Sequence, residues 1–180
     1  MKPASTEILL DAAGVADTLD RLAREVFASL PAGVPISVIG IRSRGEVLAA
    51  RLVDVLHQLG AGSIDCGTLD ITLYRDDLNN PQSNSQPEVR TTEIGFDIDG
   101  RVVFLVDDVL YTGRSTRAAM DALIDLGRPK AIRLAVLVDR AGREFPIQAD
   151  YAGYRTDVEP GKLVQVNLQE ADGIEKVVIP

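Results

Sequence analysis

The chain has a single cysteine, a single histidine and no long apolar run, and each scarcity removes a class of function. Cys66 alone cannot build an intramolecular disulfide framework, which suits a reducing cytoplasm. With only His57 beside it, there is no material for a Cys/His zinc site. A Cys–His nucleophile pair would need the whole inventory to converge in one place. No apolar stretch approaches the ~18–20 residues of a membrane span. The start, Met1-Lys2-Pro3-Ala4-Ser5-Thr6-Glu7, has no uninterrupted hydrophobic region and no cleavage site, so export is not expected. Positive charge is also short: 19 Lys+Arg against 27 Asp+Glu gives −8. Any nucleic-acid role would have to rest on a local basic patch.

What is there reads as one globular domain. The 180 residues are 46% hydrophobic and 26% charged, which suits a packed core rather than disorder. Val15, Leu19, Leu22, Val26 and Leu30 recur at spacings of three and four, predicting a helix over 12–29. Ile36-Ser37-Val38-Ile39-Gly40-Ile41 reads as a buried strand, followed by a helix over 46–59. Residues 68–74 and 102–106 have strand character, 115–126 is helical by spacing, and 131–138 is another buried strand. Alternating strands and helices predict an α/β fold with a mostly parallel sheet covered on both faces. Residues 143–160, rich in Pro, Gly and Tyr, read as a small irregular subdomain at the sheet's edge. Residues 163–168 alternate like an exposed antiparallel strand. The polar stretch Asn79-Asn80-Pro81-Gln82-Ser83-Asn84-Ser85-Gln86-Pro87 reads as a mobile loop within the domain.

The chemistry concentrates in Val103-Phe104-Leu105-Val106-Asp107-Asp108-Val109-Leu110-Tyr111-Thr112-Gly113-Arg114-Ser115-Thr116. A buried strand ends in two adjacent carboxylates, at the edge where open α/β sheets bind ligands. A Thr-Gly-Arg-Ser-Thr turn then opens a helix. Its first amides, the hydroxyls of Thr112, Ser115 and Thr116, and the positive end of the helix dipole make a phosphate cradle. A ribose-like diol above this turn would face Asp107 and Asp108, so the constellation asks for a sugar phosphate. Ile39-Gly40-Ile41-Arg42-Ser43-Arg44-Gly45 repeats the strand-end-to-helix pattern and offers a second anion site, with Arg44 the natural charge partner and Arg42 beside it.

The first of these segments resembles the phosphoribosyl-pyrophosphate (PRPP) signature of type I phosphoribosyltransferases. Together with Leu69-Asp70-Ile71-Thr72-Leu73-Tyr74-Arg75-Asp76-Asp77-Leu78, Leu123-Ile124-Asp125-Leu126-Gly127-Arg128-Pro129 and Leu134-Ala135-Val136-Leu137-Val138-Asp139-Arg140, it resembles the PyrR family, pyrimidine operon regulators with uracil phosphoribosyltransferase activity. The resemblance implies a single type I phosphoribosyltransferase domain over 1–180. Its small hood comes from about 140–180 with the N-terminal segment, and its flexible loop covers about 74–91. It implies transfer of phosphoribose from PRPP to uracil, giving UMP and pyrophosphate, with Mg²⁺ entering on PRPP near Asp107 and Asp108 rather than on a dedicated metal site. Asp107, Asp108 and Arg75 would be catalytic, Val103 to Thr116 would hold PRPP, and Arg42, Ser43, Arg44 and Gly45 would form the pyrophosphate loop.

The base would lie near Val138, Asp139, Arg140, Tyr151 and Ala152. Tyr151 either stacks on the base or fills the hood core, and Asp139 either accepts uracil N3–H or pairs with Arg140 or Arg143. Tyr111 stands where hypoxanthine-type relatives carry a catalytic carboxylate, which argues against a purine reaction. The resemblance further implies UMP-dependent binding to a pyrimidine operon mRNA leader, through Arg21, Arg24 and Arg143, by a cytoplasmic homodimer or higher assembly. Gln148 in place of an arginine, Tyr154-Arg155-Thr156-Asp157 after Gly153, and Asp20 on the basic helix depart from the family pattern. These departures make a salvage enzyme without an RNA role the alternative.

Overall fold

A computed structural model describes residues 6–76, 90–159 and 161–180. Five parallel strands form the main sheet: β2 (Ile36–Ile41), β3 (Ile64–Leu69), β4 (Val102–Leu110), β5 (Ala131–Arg140) and β6 (Tyr151–Thr156). Their spatial order is β3-β2-β4-β5-β6. Helices α1 (Ala12–Ala28) and α2 (Gly45–Gln58) cover one face, and α3 (Arg114–Leu126) covers the other. Strands buried on both sides need continuous apolar runs, and Val103, Leu105 and Val136 are 0% exposed.

A three-stranded antiparallel sheet, β1-β8-β7, forms a separate layer from β1 (Glu7–Leu10), β7 (Gln165–Asn167) and β8 (Lys176–Ile179). The short helix α4 (Gln169–Asp172) lies between its last two strands. Asp11 starts α1 by accepting a hydrogen bond from the Gly14 amide at 2.8 Å.

Three expectations need correction. Residues 68–74 are not one strand: β3 ends at Leu69, and Thr72–Tyr74 form a 3₁₀ turn. Asp70 accounts for the break, because its carboxylate accepts from the Thr72 amide (3.1 Å) and hydroxyl (2.6 Å). Residues 143–160 are not wholly an edge subdomain, since β6 is the fifth main-sheet strand, parallel to β5. The hood therefore starts after β6 rather than near residue 140. Of the flexible loop expected at 74–91, residues 77–89 lie outside the described residues.

Candidate active site

The strand order sets the place of the site. Chain connections leave β2 and β4 towards opposite faces of the sheet, so a crevice opens between the C-terminal ends of these neighbours. The loop 42–45 after β2 and the loop 111–113 after β4 border it. They are brought together by glycine. A Cβ on Gly45 would lie 2.6 Å from the Val106 carbonyl oxygen and 3.3 Å from Asp107 Cα, so only a bare backbone lets α2 begin against β4.

Asp107 and Asp108 lie side by side in the last third of β4. Asp107 is 8% exposed. Burial pushes both carboxyls above the usual carboxylate range. For Asp107 the neighbouring Asp108 and Glu46 add to the rise. For Asp108 the Val109 amide, donating at 2.8 Å, and the positive charge of Arg44 work against it. Two crowded carboxyls away from water gain from hydroxyl donors or a hard cation, and their oxygens suit a divalent ion.

Beyond them the chain turns at Gly113, whose φ of +91° favours glycine, and enters α3 with no capping side chain. The Arg114 amide reaches Thr112 Oγ1 at 3.3 Å, which leaves the amides of Ser115 and Thr116 pointing outward. Thr112, Ser115 and the buried Thr116 help line a cavity of about 160 Å³ there. The cradle is braced from behind, where Glu144 and Phe145 amides donate to the Thr112 carbonyl at 2.9 and 3.0 Å. The Arg114 side chain points away, paired with Glu144 and Asp76 and stacked 5.1 Å from the Phe145 ring centroid. Val103, Phe104, Leu105 and Val106 are 0–2% exposed and support the strand without reaching a ligand, which narrows the expected PRPP-contacting run to the segment from Asp107 onward.

The second anion loop is held by charge. Arg42 donates to the Thr91 carbonyl (3.1 Å) and pairs with Glu93 (3.4 Å). Arg44 pairs with Asp172 of the hood at 2.7 Å, with its backbone at φ +23°. Arg75 follows the 3₁₀ turn, which is fastened to α3 by Arg117 donating to the Tyr74 carbonyl (3.1 Å) and Tyr74 donating to Asp125 (2.8 Å).

Comparison with known proteins agrees with this geometry. The family model for the phosphoribosyl transferase domain matches residues 5–171. A curated relative from Akkermansia muciniphila, Bifunctional protein PyrR, is 47% identical over all of this chain and 99% of its own length. The chain belongs to the PyrR family of phosphoribosyltransferases. Bifunctional protein PyrR of Deinococcus radiodurans is 50% identical over 88% of this chain and 86% of its own. A hypoxanthine phosphoribosyltransferase of Trypanosoma cruzi is only 18% identical, but superposes with a TM-score of 0.72 over 96% of this chain and 94% of its own, which shows the shared fold.

The base end departs from expectation. By strand register Tyr151 lies beside Ala135 and Ala152 beside Val136, too early in β6 for the strand-end crevice. Tyr151 faces α1, with its hydroxyl 2.6 Å from Ser29 Oγ and its ring 6.0 Å from the Phe104 ring. Ala152 and Val138 are core. Arg140 is 2% exposed, stacks 3.8 Å from the Tyr111 ring centroid, and donates to the Lys162 and Val158 carbonyls at 2.6 and 3.4 Å. All four side chains are engaged within the protein. Asp139 lies at the edge, in a cleft of about 440 Å³ that Arg140, Ala141, Arg143, Arg155, Thr156 and Asp157 also line. It pairs there with Arg143 and, at 3.7 Å, with Arg155.

The three arginines expected to meet RNA divide. Arg143 is a structural fork, which donates to Asp139 and to the carbonyls of Leu110, Tyr111, Arg140 and Ile147. Nε and Nη1 are fully engaged in this arrangement, and one Nη2 hydrogen remains beyond the bond to Asp139. Arg21 and Arg24 stay half-exposed on α1. Arg21 pairs with Glu25 and donates to the Gly153 carbonyl, and Arg24 pairs with Asp20.

Proposed function

We propose that this protein transfers the phosphoribosyl group of PRPP to N1 of uracil, releasing pyrophosphate and forming UMP. We further propose that, with UMP bound, it regulates pyrimidine genes by binding their mRNA leader. The observation that carries the enzymatic reading is the Asp107–Asp108 pair, with Asp107 buried and Asp108 half-buried, beside the Thr112–Thr116 turn.

In this reading the cradle holds the 5′-phosphate, and the carboxylates accept the ribose hydroxyls. As the C1–pyrophosphate bond loosens, positive charge develops on the ribosyl centre, and the same carboxylates stabilise it. Arg42, Arg44 and Arg75 face the departing pyrophosphate; Mg²⁺ entering with PRPP would be held near Asp107 and Asp108 and would supply further neutralisation of its charge. Tyr111, packed under Arg140, offers no carboxylate to accept a purine ring proton. Asp139 accepts from the N3–H of the pyrimidine. The setting is the cytoplasm, and the assembly a homodimer or larger.

Asp107→Asn with Asp108→Asn, in a variant whose circular dichroism is unchanged, is expected to lower UMP formation by orders of magnitude. A folded double variant at near wild-type rate overturns the assignment. Uracil is expected to exceed hypoxanthine, guanine and orotate in kcat/KM.

The alternative, salvage without RNA, is favoured by one observation: Arg143 is mostly engaged internally, and Arg21 and Arg24 each already hold an acid. Titration of a leader hairpin at several salt concentrations separates the two. The regulatory reading expects UMP-dependent binding with a shallow salt slope, steepened by Gln148→Arg and weakened by Arg21→Ala with Arg24→Ala. Absence of UMP-dependent binding at low salt leaves the salvage enzyme.

A further inference from the structure

Two ionic clamps join the hood to the first turns of α2, and only one reaches the crevice. Arg51 is held by Glu170 (2.5 Å) and Glu175 (2.6 Å). Arg44, at the start of the same helix, is gripped at two points by Asp172, with Nε donating to Oδ2 at 3.1 Å and Nη2 to Oδ1 at 2.7 Å. Asp172 is itself fixed, because the Leu168 amide donates to its Oδ2 at 2.8 Å. The fork uses one edge of the guanidinium. Nη1, on the other edge, has no partner among the described residues and is free to meet an incoming anion.

We propose that Asp172 is a positioning residue for the pyrophosphate site: by gripping the Nε/Nη2 edge of Arg44 at two points it presents Nη1 to the diphosphate of PRPP and to free pyrophosphate. The inference rests on the reading that the 42–45 loop receives pyrophosphate. Its physical basis is entropy. An arginine chain loses considerable rotamer freedom when fixed, and a carboxylate that fixes it before the ligand arrives removes that cost from binding. The hood thereby becomes part of an anion site that its own sequence contributes no cation to.

The direction of the effect separates this role from simple electrostatics. Removing a negative charge beside an anion site would, by charge alone, tighten anion binding. Loss of positioning loosens it. Asp172→Asn keeps an oxygen for the Leu168 amide but loses the charge that holds the fork. It is expected to weaken binding of pyrophosphate with Mg²⁺ by about tenfold, the scale of one charge-assisted hydrogen bond. KM for PRPP should rise in step, with kcat within about twofold and KM for uracil unmoved. Arg51→Met breaks the parallel clamp without touching Arg44 and should leave pyrophosphate affinity as in the wild type. Asp172→Glu should recover part of the loss.

Calorimetric titration with pyrophosphate and Mg²⁺ needs no base substrate, so it separates the inference from the proposed reaction. A wild type that binds pyrophosphate in an Asp172-dependent way but does not turn over uracil keeps the inference and rejects the reaction. Unchanged or tighter binding in Asp172→Asn overturns it. Equal weakening in Arg51→Met also overturns it, by tracing the effect to general loosening of the hood.

Discussion

At the scale of single residues, the site is held in a state that costs stability. Burial and the neighbouring acids make the folded protein bind the Asp107 proton more tightly than the unfolded chain does. Stability from this group is therefore complete below the ordinary carboxylate range and declines as pH rises through the raised value. Asp107→Asn removes the charge that causes the decline. It is expected to abolish activity yet gain about 1–2 kcal/mol at pH 8 and almost nothing at pH 4, a trade seen when strained sites are neutralised. For a domain of this size that is a rise of roughly 2–4 °C in Tm per kcal/mol, read by thermal denaturation at the two pH values. A loss of stability at pH 8 would contradict it. The pairing of Asp107 with Asp108 was legible in the sequence because a strand and a turn bracket it. The roles of Tyr151 and Arg143 were not. Tyrosine type and position do not reveal where a strand starts, and Tyr151 proved to enter β6 at its buried beginning. Arginine type does not reveal whether five nearby acceptors will consume it.

At the scale of elements, apolar runs and their periods located α1, α2, α3, β2, β4 and β5 to within a few residues, because each buries a continuous face. β6 was missed for a physical reason. It is an edge strand of mixed composition, and its Gly153 is dictated by crowding rather than by strand preference. A Cβ there would lie 2.6 Å from Thr18 Cγ2 and 2.7 Å from the Leu137 carbonyl oxygen, so the glycine lets α1 settle onto the sheet. The same crowding sets the crevice. A Cβ on Gly40 would lie 2.3 Å from the Gly45 carbonyl oxygen and 2.5 Å from Glu46 Cα, both backbone atoms with no freedom to retreat. Gly40→Ala is expected to destabilise by about 1–3 kcal/mol, the usual cost of overpacking, and to weaken pyrophosphate binding beyond what the lost stability explains. Urea denaturation beside the pyrophosphate titration checks both. An alanine variant of wild-type stability and affinity would show that α2 can shift freely.

At the scale of the whole molecule, the hood is attached to the main body at α2 by carboxylates. Glu170 and Glu175 are held below the usual range by Arg51, and Asp172 by Arg44. Groups with lowered values add stability above their ordinary values and lose it as pH falls through the lowered ones. Acid should therefore loosen the hood before the parallel sheet, leaving the hood attached through Val166, Leu168 and Val177 in the shared apolar core. Hydrogen exchange followed by mass spectrometry is expected to show protection in peptides covering β7 and β8 falling below about pH 4, with β4 still protected. Simultaneous loss in both would show one cooperative unit instead.

The pairing of β1 with β8 has a consequence for how the protein is made. Glu7 lies opposite Ile179, and every strand of the parallel sheet is encoded between them. On a ribosome β1 emerges first and waits, unpaired, while the catalytic sheet is synthesised. Its partner arrives only after α4 and the Asp172 that grips Arg44. The Asp107–Asp108 pair and the 112–116 turn can thus assemble on a nascent chain, whereas the second sheet and its grip on Arg44 are completed only once β8 has been synthesised.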